Sequence, residues 1–287
     1  LDQVEALKKL NLEIDFFFIV GNGWKGYLGN INQFLHKIKL FQPDLIHAHY
    51  GFSGLFSNLQ RRIPVITTFH GSDIHQKRNL WLSKIAIFLS RQNIFVSEKL
   101  LIIAKTNKGI IIPCGVDLTI FKPLDKKLCR DYFGFDSQKR YVLFSSSFDN
   151  SIKNPSFAKK IGEELGENFV LVELKGFNRE QVAKLINAVD VALLTSFEEG
   201  SPQFVKEAMA CGCPIVTSDV GDVSFQLKNI KNSVIVDDFD KEKFKNAIQN
   251  VLSKNLIPKE SDLSIWDNSV IAKKIFSEFE KVFFSWK

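Results

Sequence analysis

Two carboxylates, Glu199 and Glu207, flank seven residues within Ser-Phe-Glu-Glu-Gly-Ser-Pro-Gln-Phe-Val-Lys-Glu-Ala-Met-Ala-Cys-Gly-Cys-Pro-Ile-Val-Thr, from Ser196 to Thr217. Carboxylates bind hydroxyl groups through charge-assisted, directional hydrogen bonds, so this pair calls for a sugar ring, a ribose, or both. An anion site is expected alongside. The apolar run Val191–Leu194 reads as a buried strand, Ser201 as a helix cap, Pro202 as the first helical position, and Gly212 with Pro214 as the stop. A helix that opens at a strand's carboxyl end offers free amides, and phosphate is the natural guest.

Lys153-Asn-Pro-Ser-Phe repeats this logic, with Asn154 as the expected cap, Pro155 at the first position, and the Lys153 ammonium beside a second positive helix end. Alone, Lys153 reads as a surface lysine and Glu207 as a solvated helix residue. Together the two motifs favour a diphosphate carrying sugar hydroxyls. A third cluster is histidine-rich. His70 follows the strand Val65–Phe69 in Thr-Thr-Phe-His-Gly-Ser-Asp, where Gly71 and Asp73 fit an open loop. His47-Ala-His49 directs two rings to one strand face, so a metal centre with His70, Asp73 and His75 is the rival reading. The lack of further paired acidic ligands weighs against it.

The elements that must position these groups alternate along the chain. Strands are expected near Ile14–Val20, Leu45–Ala48, Val65–Phe69, Ile94–Val96 and Ile110–Ile112, with helices such as Ile31–Phe41 between them. A charged, turn-like passage through Phe121-Lys-Pro-Leu-Asp-Lys-Lys reads as a linker. A second series then places strands near Tyr141–Ser145, Phe169–Glu173, Val191–Thr195, Pro214–Thr217 and Ser233–Val236. Such repetition predicts an α/β chain of two doubly wound parallel domains, 1–120 and 121–268. A final helix, roughly Val270 to Phe284, carries an apolar stripe expected to pack back on the first domain. Because Asp2–Leu10 read as the tail of a helix, the first domain is expected to lack its opening strand.

Several ordered motifs together resemble the retaining GT-B glycosyltransferases of glycosyltransferase family 4. They are the Glu199-to-Glu207 stretch with Ala-Met-Ala-Cys-Gly-Cys-Pro-Ile-Val, Ile-Pro-Cys-Gly-Val-Asp around Cys114, and Phe-Lys-Pro at Phe121. The resemblance implies two Rossmann-like domains facing a cleft, a nucleotide diphosphate sugar donor held mainly by the second, and an acceptor approached from the first. It implies sugar transfer to an acceptor hydroxyl, with no metal and no cofactor beyond the donor. By it, Glu199 touches hydroxyls of the transferred sugar, Glu207 the ribose, and Lys153 the diphosphate. The amides of Ser201, Gln203 and Phe204, next to Pro202, face phosphates or sugar. His70 sits beside the reacting sugar and joins Glu199 as a catalytic residue, while His49, Tyr50, Gly51 and Asp73 lie on the acceptor side. Where the family often supplies an arginine before the lysine, this chain has Ser145, Ser146 and Ser147, and Ser147 joins the expected donor-binding set. Non-catalytic nucleotide-sugar binding, and a GT-B epimerase or phosphorylase, are the rival functions.

Composition bounds the rest. With 287 residues, 45% apolar and 24% charged, the chain suits two soluble domains. Its net charge of +6 is scattered rather than run together, which argues for an anionic ligand or an anionic membrane face and against nucleic acid. Four cysteines without paired spacing point to a reducing compartment. No apolar stretch approaches the roughly 20 residues of a membrane span. The expected location is the cytoplasm, with peripheral contact at the inner membrane face, and the acceptor a glycan, a lipid-linked group or a small molecule.

Overall fold

Nearly continuous runs of Val, Ile, Leu and Phe, too apolar for a sheet wet on one face, fold into parallel strands covered by helices. The structure, a computed structural model, describes residues 2–21, 23–253 and 263–286, except the side chains of Asp2 and Trp24. Residues 254–262, which fall inside the expected second domain, lie outside the described residues. Two compact units emerge, Leu1–Pro113 with Ser269–Lys287, and Cys114–Asn268. The division falls at Pro113 and Cys114 instead of at residue 120, because Val116 and Phe121 are buried in the second unit's core.

In the first unit, β1 (Ile46–His49), β2 (Val65–Phe69), β3 (Gln92–Phe95) and β4 (Ile110–Ile111) form a parallel sheet in the order β1-β2-β3-β4. Helix Gly51–Asn58 lies so close to this sheet that a Cβ at Gly54 would come within 2.5 Å of the Thr67 side chain. The expected strand at Ile14–Val20 does not form. Phe17 turns inward onto Phe34 and Phe56 while Phe16 and Phe18 stack on each other outside, so the alternation of a strand is present without a ladder. Side-chain alternation alone does not pair backbone amides, and it is the pairing that makes a strand. The last helix, Asn268–Trp286, buries Ile271, Ile275 and Val282 against Leu7, Ile66, Ile94 and Ile112. Each such side chain contributes about 2 kcal/mol of transfer free energy.

The second unit contains β5 (Arg140–Phe144), β6 (Phe169–Glu173), β7 (Val191–Leu194), β8 (Ile215–Ser218) and β9 (Ser233–Val236), parallel and ordered β6-β5-β7-β8-β9. Strand alternation sends Val142, Phe144, Val191 and Leu193 into one core and Leu143, Ala192 and Leu194 into the other. The strand order reverses between β5 and β7. In open parallel sheets, ligands settle at the strands' carboxyl ends beside such a switch point.

Asp190, just before β7, fastens the opposite end of the sheet. Its carboxylate is 2% exposed and meets Lys126 at 2.9 Å, Arg130 at 2.7 Å and Arg140 at 3.1 Å, and the Tyr141 amide donates to it at 2.8 Å. Burial opposes its charge, but these bonds and the nearby cations outweigh it and hold the carboxyl below its usual range. Removing one partner of a buried ion cluster leaves the others uncompensated. Asp190→Ala should therefore cost about 3 kcal/mol of unfolding free energy in urea denaturation, and an unchanged midpoint would show that the cluster contributes nothing.

Candidate functional site

At the switch point, the ends of β5 and β7 are tied together by one hydroxyl. Thr195, directly after β7, donates to the carbonyls of Lys153 at 3.0 Å and Asn154 at 3.2 Å, and the Phe197 amide donates to the Ile152 carbonyl at 3.0 Å. The short 3-10 turn Ser151–Lys153 is thereby held against the β7 loop. The Lys153 ammonium consequently reaches Glu199 and donates to its Oε1, an atom that also accepts from the Ser196 hydroxyl at 2.7 Å. The two sequence motifs thus meet as an ion pair, with both side chains largely buried.

Neither expected side-chain cap forms. Asn154 is left-handed, with φ 56°, and its side chain makes no capping bond to helix Pro155–Leu165. The motif helix runs Gln203–Ala210, one residue later than read, with Pro202 flanking it. Ser201 has a stronger attraction elsewhere: its hydroxyl accepts from the Lys206 ammonium at 2.6 Å and donates to Asp222 at 2.9 Å. Bonds to charged groups exceed a neutral cap in strength, so the network takes the hydroxyl.

Lys206 is fully buried, bonded to Ser201 and set over the Trp266 ring at 5.3 Å. Burial pushes its pKa down, and the Asp222 and Glu207 carboxylates oppose that push. Burial likewise raises the Asp222 carboxyl, although Lys206, Ser201 and Gln226 favour its charged form. Gly221 completes the junction. With φ +57°, it brings its Cα so near the Gly200 carbonyl that an added Cβ would sit 2.8 Å from that oxygen.

Glu207, on the same helix, lies 3.6 Å from Arg179, whose guanidinium stacks on Phe121 at 4.9 Å. Pro202 and Phe204 are buried, and the first amides of the helix precede its first internal hydrogen bond. Gln203 donates through its side chain to the Gly115 carbonyl at 2.7 Å. Ser147, after β5, bonds Asp149 at 3.1 Å, and Asp149 in turn pairs with Lys175.

In the first unit, the ends of β1 and β2 carry the histidines. His49 Nδ1 lies 2.9 Å from His70 Nε2, and the two rings stack at 22°. His47 Nε2 lies 2.8 Å from Thr68 Oγ1. Tyr50 is exposed and packs its ring 4.8 Å from that of His70, on a backbone with φ 71° and ψ 148°. Gly51 and Asp73 are buried. A Cβ at Gly51 would strike the Ser83 side chain, and the Asp73 carboxylate accepts from the amides of Gly51 at 3.0 Å, Gly71 at 2.9 Å and His70 at 3.2 Å. The metal-centre alternative is not supported. With His47 on Thr68, His49 on His70 and Asp73 on backbone, no group of three or more His, Cys, Asp or Glu among the described residues is placed to hold an ion.

Thr195, Ser196, Arg179, Lys206 and Asp222 were not singled out from sequence. Thr195 and Ser196 could have been, since hydroxyls that directly follow a buried strand at a switch point are placed to tie loops. Arg179 and Asp222 carry no local signal, because their partners lie 28 and 21 positions away at Glu207 and Ser201.

Two family models match separate stretches of the chain. Residues 8–120 match the family model described as Glycosyltransferase Family 4, and residues 149–254 match that of Glycosyl transferases group 1. The chain is 28% identical over 215 residues to TuaC of Bacillus subtilis (strain 168), described as a glycosyltransferase of teichuronic acid biosynthesis, covering 63% of this chain and 54% of TuaC. It is 21% identical over 261 residues to the D-inositol 3-phosphate glycosyltransferase of Mycobacterium marinum, covering 74% and 56%. The chain thus spans about half the length of these relatives. In fold it is similar to sucrose-phosphate synthase from Thermosynechococcus elongatus, with TM-score 0.75, 19% identity, and 91% and 79% of the two chains covered. It is also similar to Anabaena HepE, solved with UDP and glucose, with TM-score 0.72, 16% identity, and 96% and 88% covered.

The histidine cluster has a pH signature. Burial pushes His49 down to about 4, and burial, aided by the neighbouring His49 and His70, pushes His47 well below its usual value. Both rings therefore stay neutral in the fold while their unfolded counterparts take up protons below about pH 6.5. Their contribution is fully present above that pH and is lost as pH falls toward 4, at up to about 1.4 kcal/mol per pH unit for each ring. Urea denaturation at pH 7 and pH 5.5 should show this slope, and the His47→Gln, His49→Asn double variant should flatten it. A slope identical in both proteins would refute the assignment.

Proposed function

Because this chain belongs to the group 1 and family 4 glycosyltransferases, with their GT-B pattern of two Rossmann-like units, we propose that it moves a sugar from a nucleotide diphosphate sugar to an acceptor hydroxyl in glycan or polysaccharide biosynthesis. The observation that carries this reading is the Lys153–Glu199 pair at the switch point beside the opening of helix Gln203–Ala210. One ammonium, free helix amides and two carboxylates match the opposed demands of a diphosphate and of sugar hydroxyls.

In the proposed complex the donor lies along the carboxyl ends of β5 and β7. Glu207, steadied by Arg179, takes the ribose hydroxyls, and Glu199 takes those of the transferred sugar. Lys153 leaves Glu199 for the diphosphate, whose charge the helix amides share, so that the chain's own cations and not a divalent metal neutralise it. As the glycosidic bond breaks, negative charge gathers on the departing phosphate, and preorganised donors there lower the barrier. Transfer proceeds with retention by attack on the face the phosphate leaves. The phosphate accepts the acceptor's proton, and His70 steadies the oxocarbenium-like sugar through its carbonyl or ring.

Among the described residues no helix is long and apolar enough to cross a membrane. The net charge of +6, with exposed Phe284 and Trp286 on the last helix, supports peripheral contact with an anionic membrane. Four free thiols support a reducing compartment such as the cytoplasm.

Calorimetric titration with uridine, guanosine and adenosine diphosphates tests the donor site. Glu207→Ala should weaken the preferred nucleotide roughly 10- to 100-fold, the worth of a hydrogen bond to a charged group. Lys153→Ala and Glu199→Ala should lower nucleotide release from the matching nucleotide sugar by similar factors with the fold intact by circular dichroism. Wild-type binding and turnover in all three variants would overturn the assignment. Nucleotide binding without acceptor-dependent release would favour the non-catalytic alternative.

A further inference from the structure

Different residues hold the backbone and the ring of His70. Asp73 fixes its backbone: the carboxylate accepts from the His70 and Gly71 amides on one oxygen and from the Gly51 amide on the other, stapling the turn after β2 to the turn after β1. His49 meets its ring, Nδ1 to Nε2 at 2.9 Å. The strands themselves set up the meeting. His49 pairs in register with Thr68, and the Tyr50 amide donates to the Thr68 carbonyl at 2.8 Å, so the ring of His49 points along the sheet to the first residue beyond β2. Tyr50 supplies a second wall to the His70 ring, at 4.8 Å.

Two imidazole nitrogens at hydrogen-bonding distance have room for one proton between them. Whichever ring carries it, the nitrogen states of the two rings are linked: when His49 Nδ1–H donates, His70 Nε2 is the bare acceptor and its proton sits on Nδ1, and when His70 Nε2–H donates, the reverse holds. A histidine whose tautomer is set by such a partner presents one defined atom to whatever lies on its other side.

We propose that His49 is a positioning residue for His70, its Nδ1 fixing the orientation of the His70 ring and coupling that ring's tautomer to its own. The inference rests on the reading that His70 acts at the reacting sugar. It assigns to His49 no contact with donor or acceptor. Because Asp73 already anchors the loop backbone, the ring contact is not needed to shape the turn, and its loss should disturb the His70 imidazole while leaving the turn in place.

Asparagine separates this role from plain packing. Its side-chain amide places a hydrogen-bonding atom where histidine carries Nδ1, whereas glutamine reaches the Nε2 position and leucine fills the space without a polar atom. Turnover with the nucleotide sugar preferred in the donor screen should fall roughly 10- to 100-fold in His49→Leu and His49→Gln, the scale of a misoriented catalytic group. KM for the donor should stay within about threefold, and His49→Asn should recover most of kcat. Nitrogen-15 chemical shifts of the His70 ring, measured on the free protein, read the tautomer directly. They should report one form in the wild type and in His49→Asn, and a mixture in His49→Leu. His70→Ala serves as the reference. If it turns over like wild type, the reading of His70 fails; if it is impaired while His49→Leu is not, the positioning role fails and the reading stands. Where turnover is too low to measure, unchanged His70 shifts in His49→Leu are sufficient to overturn the proposal.

Discussion

The donor site proposed for a diphosphate and for sugar hydroxyls concentrates opposite charges near one another, and the fold must hold them together without a ligand's help. The Lys153–Glu199 pair meets both demands at once. Thr195 holds the Lys153 turn against the end of β7, which brings the ammonium within reach of the carboxylate, and the Ser196 hydroxyl shares the same oxygen. Either ion left alone in this largely buried setting would cost several kcal/mol, whereas together they compensate each other. The motif helix repeats the arrangement. Glu207 is faced by Arg179, and Asp222 is linked to Lys206 through the Ser201 hydroxyl.

The first unit relies on neutrality instead. His47 and His49 stay uncharged because burial disfavours their protonated forms, and they meet hydroxyl and imidazole partners that a neutral ring satisfies. Local strain accompanies this order. Tyr50 adopts φ 71° and ψ 148°, a region favoured by glycine that costs a side-chain-bearing residue on the order of 1–3 kcal/mol. The amides on either side offset it, that of Tyr50 bonded to the Thr68 carbonyl and that of Gly51 to Asp73. Strain held in this way turns the chain sharply enough to lay the tyrosine ring against His70.

What local physics decides is visible in the sequence. The runs at Val65–Phe69, Phe169–Glu173 and Ser233–Val236 become strands over those same residues, because each is apolar, short and bounded by turn residues. Glu199, Glu207 and Lys153 stand out in sequence because their neighbours constrain them, with a strand before, a proline at or near the helix start and glycine after, and the structure brings Lys153 to Glu199. Reading failed where a long-range partner outbids a local one. Ser201 looks like a cap until a buried ammonium and a carboxylate converge on it, and no window of sequence brings Lys206, Asp222 and Trp266 together. The Ile14–Val20 run failed for the opposite reason. It has the alternation of a strand, yet no neighbouring backbone pairs with it among the described residues.

The two lysines at the motif show how one region can be both stable and responsive. Lys206 is wholly enclosed, and its hydroxyl, carboxylate and aromatic partners all belong to the protein. Exchange of those partners for a ligand's would require opening the junction where Gly221 presses on Gly200. Thr195 holds the Lys153 backbone, while the ammonium, paired with Glu199, and the carboxylate itself keep some exposure. Its partner can therefore change without any repacking of the core. A diphosphate approaching the helix opening would compete with Glu199 for that ammonium and leave the carboxylate ready for hydroxyls, so ion-pair exchange would replace, without loss of compensation, the contact that stabilises the empty site.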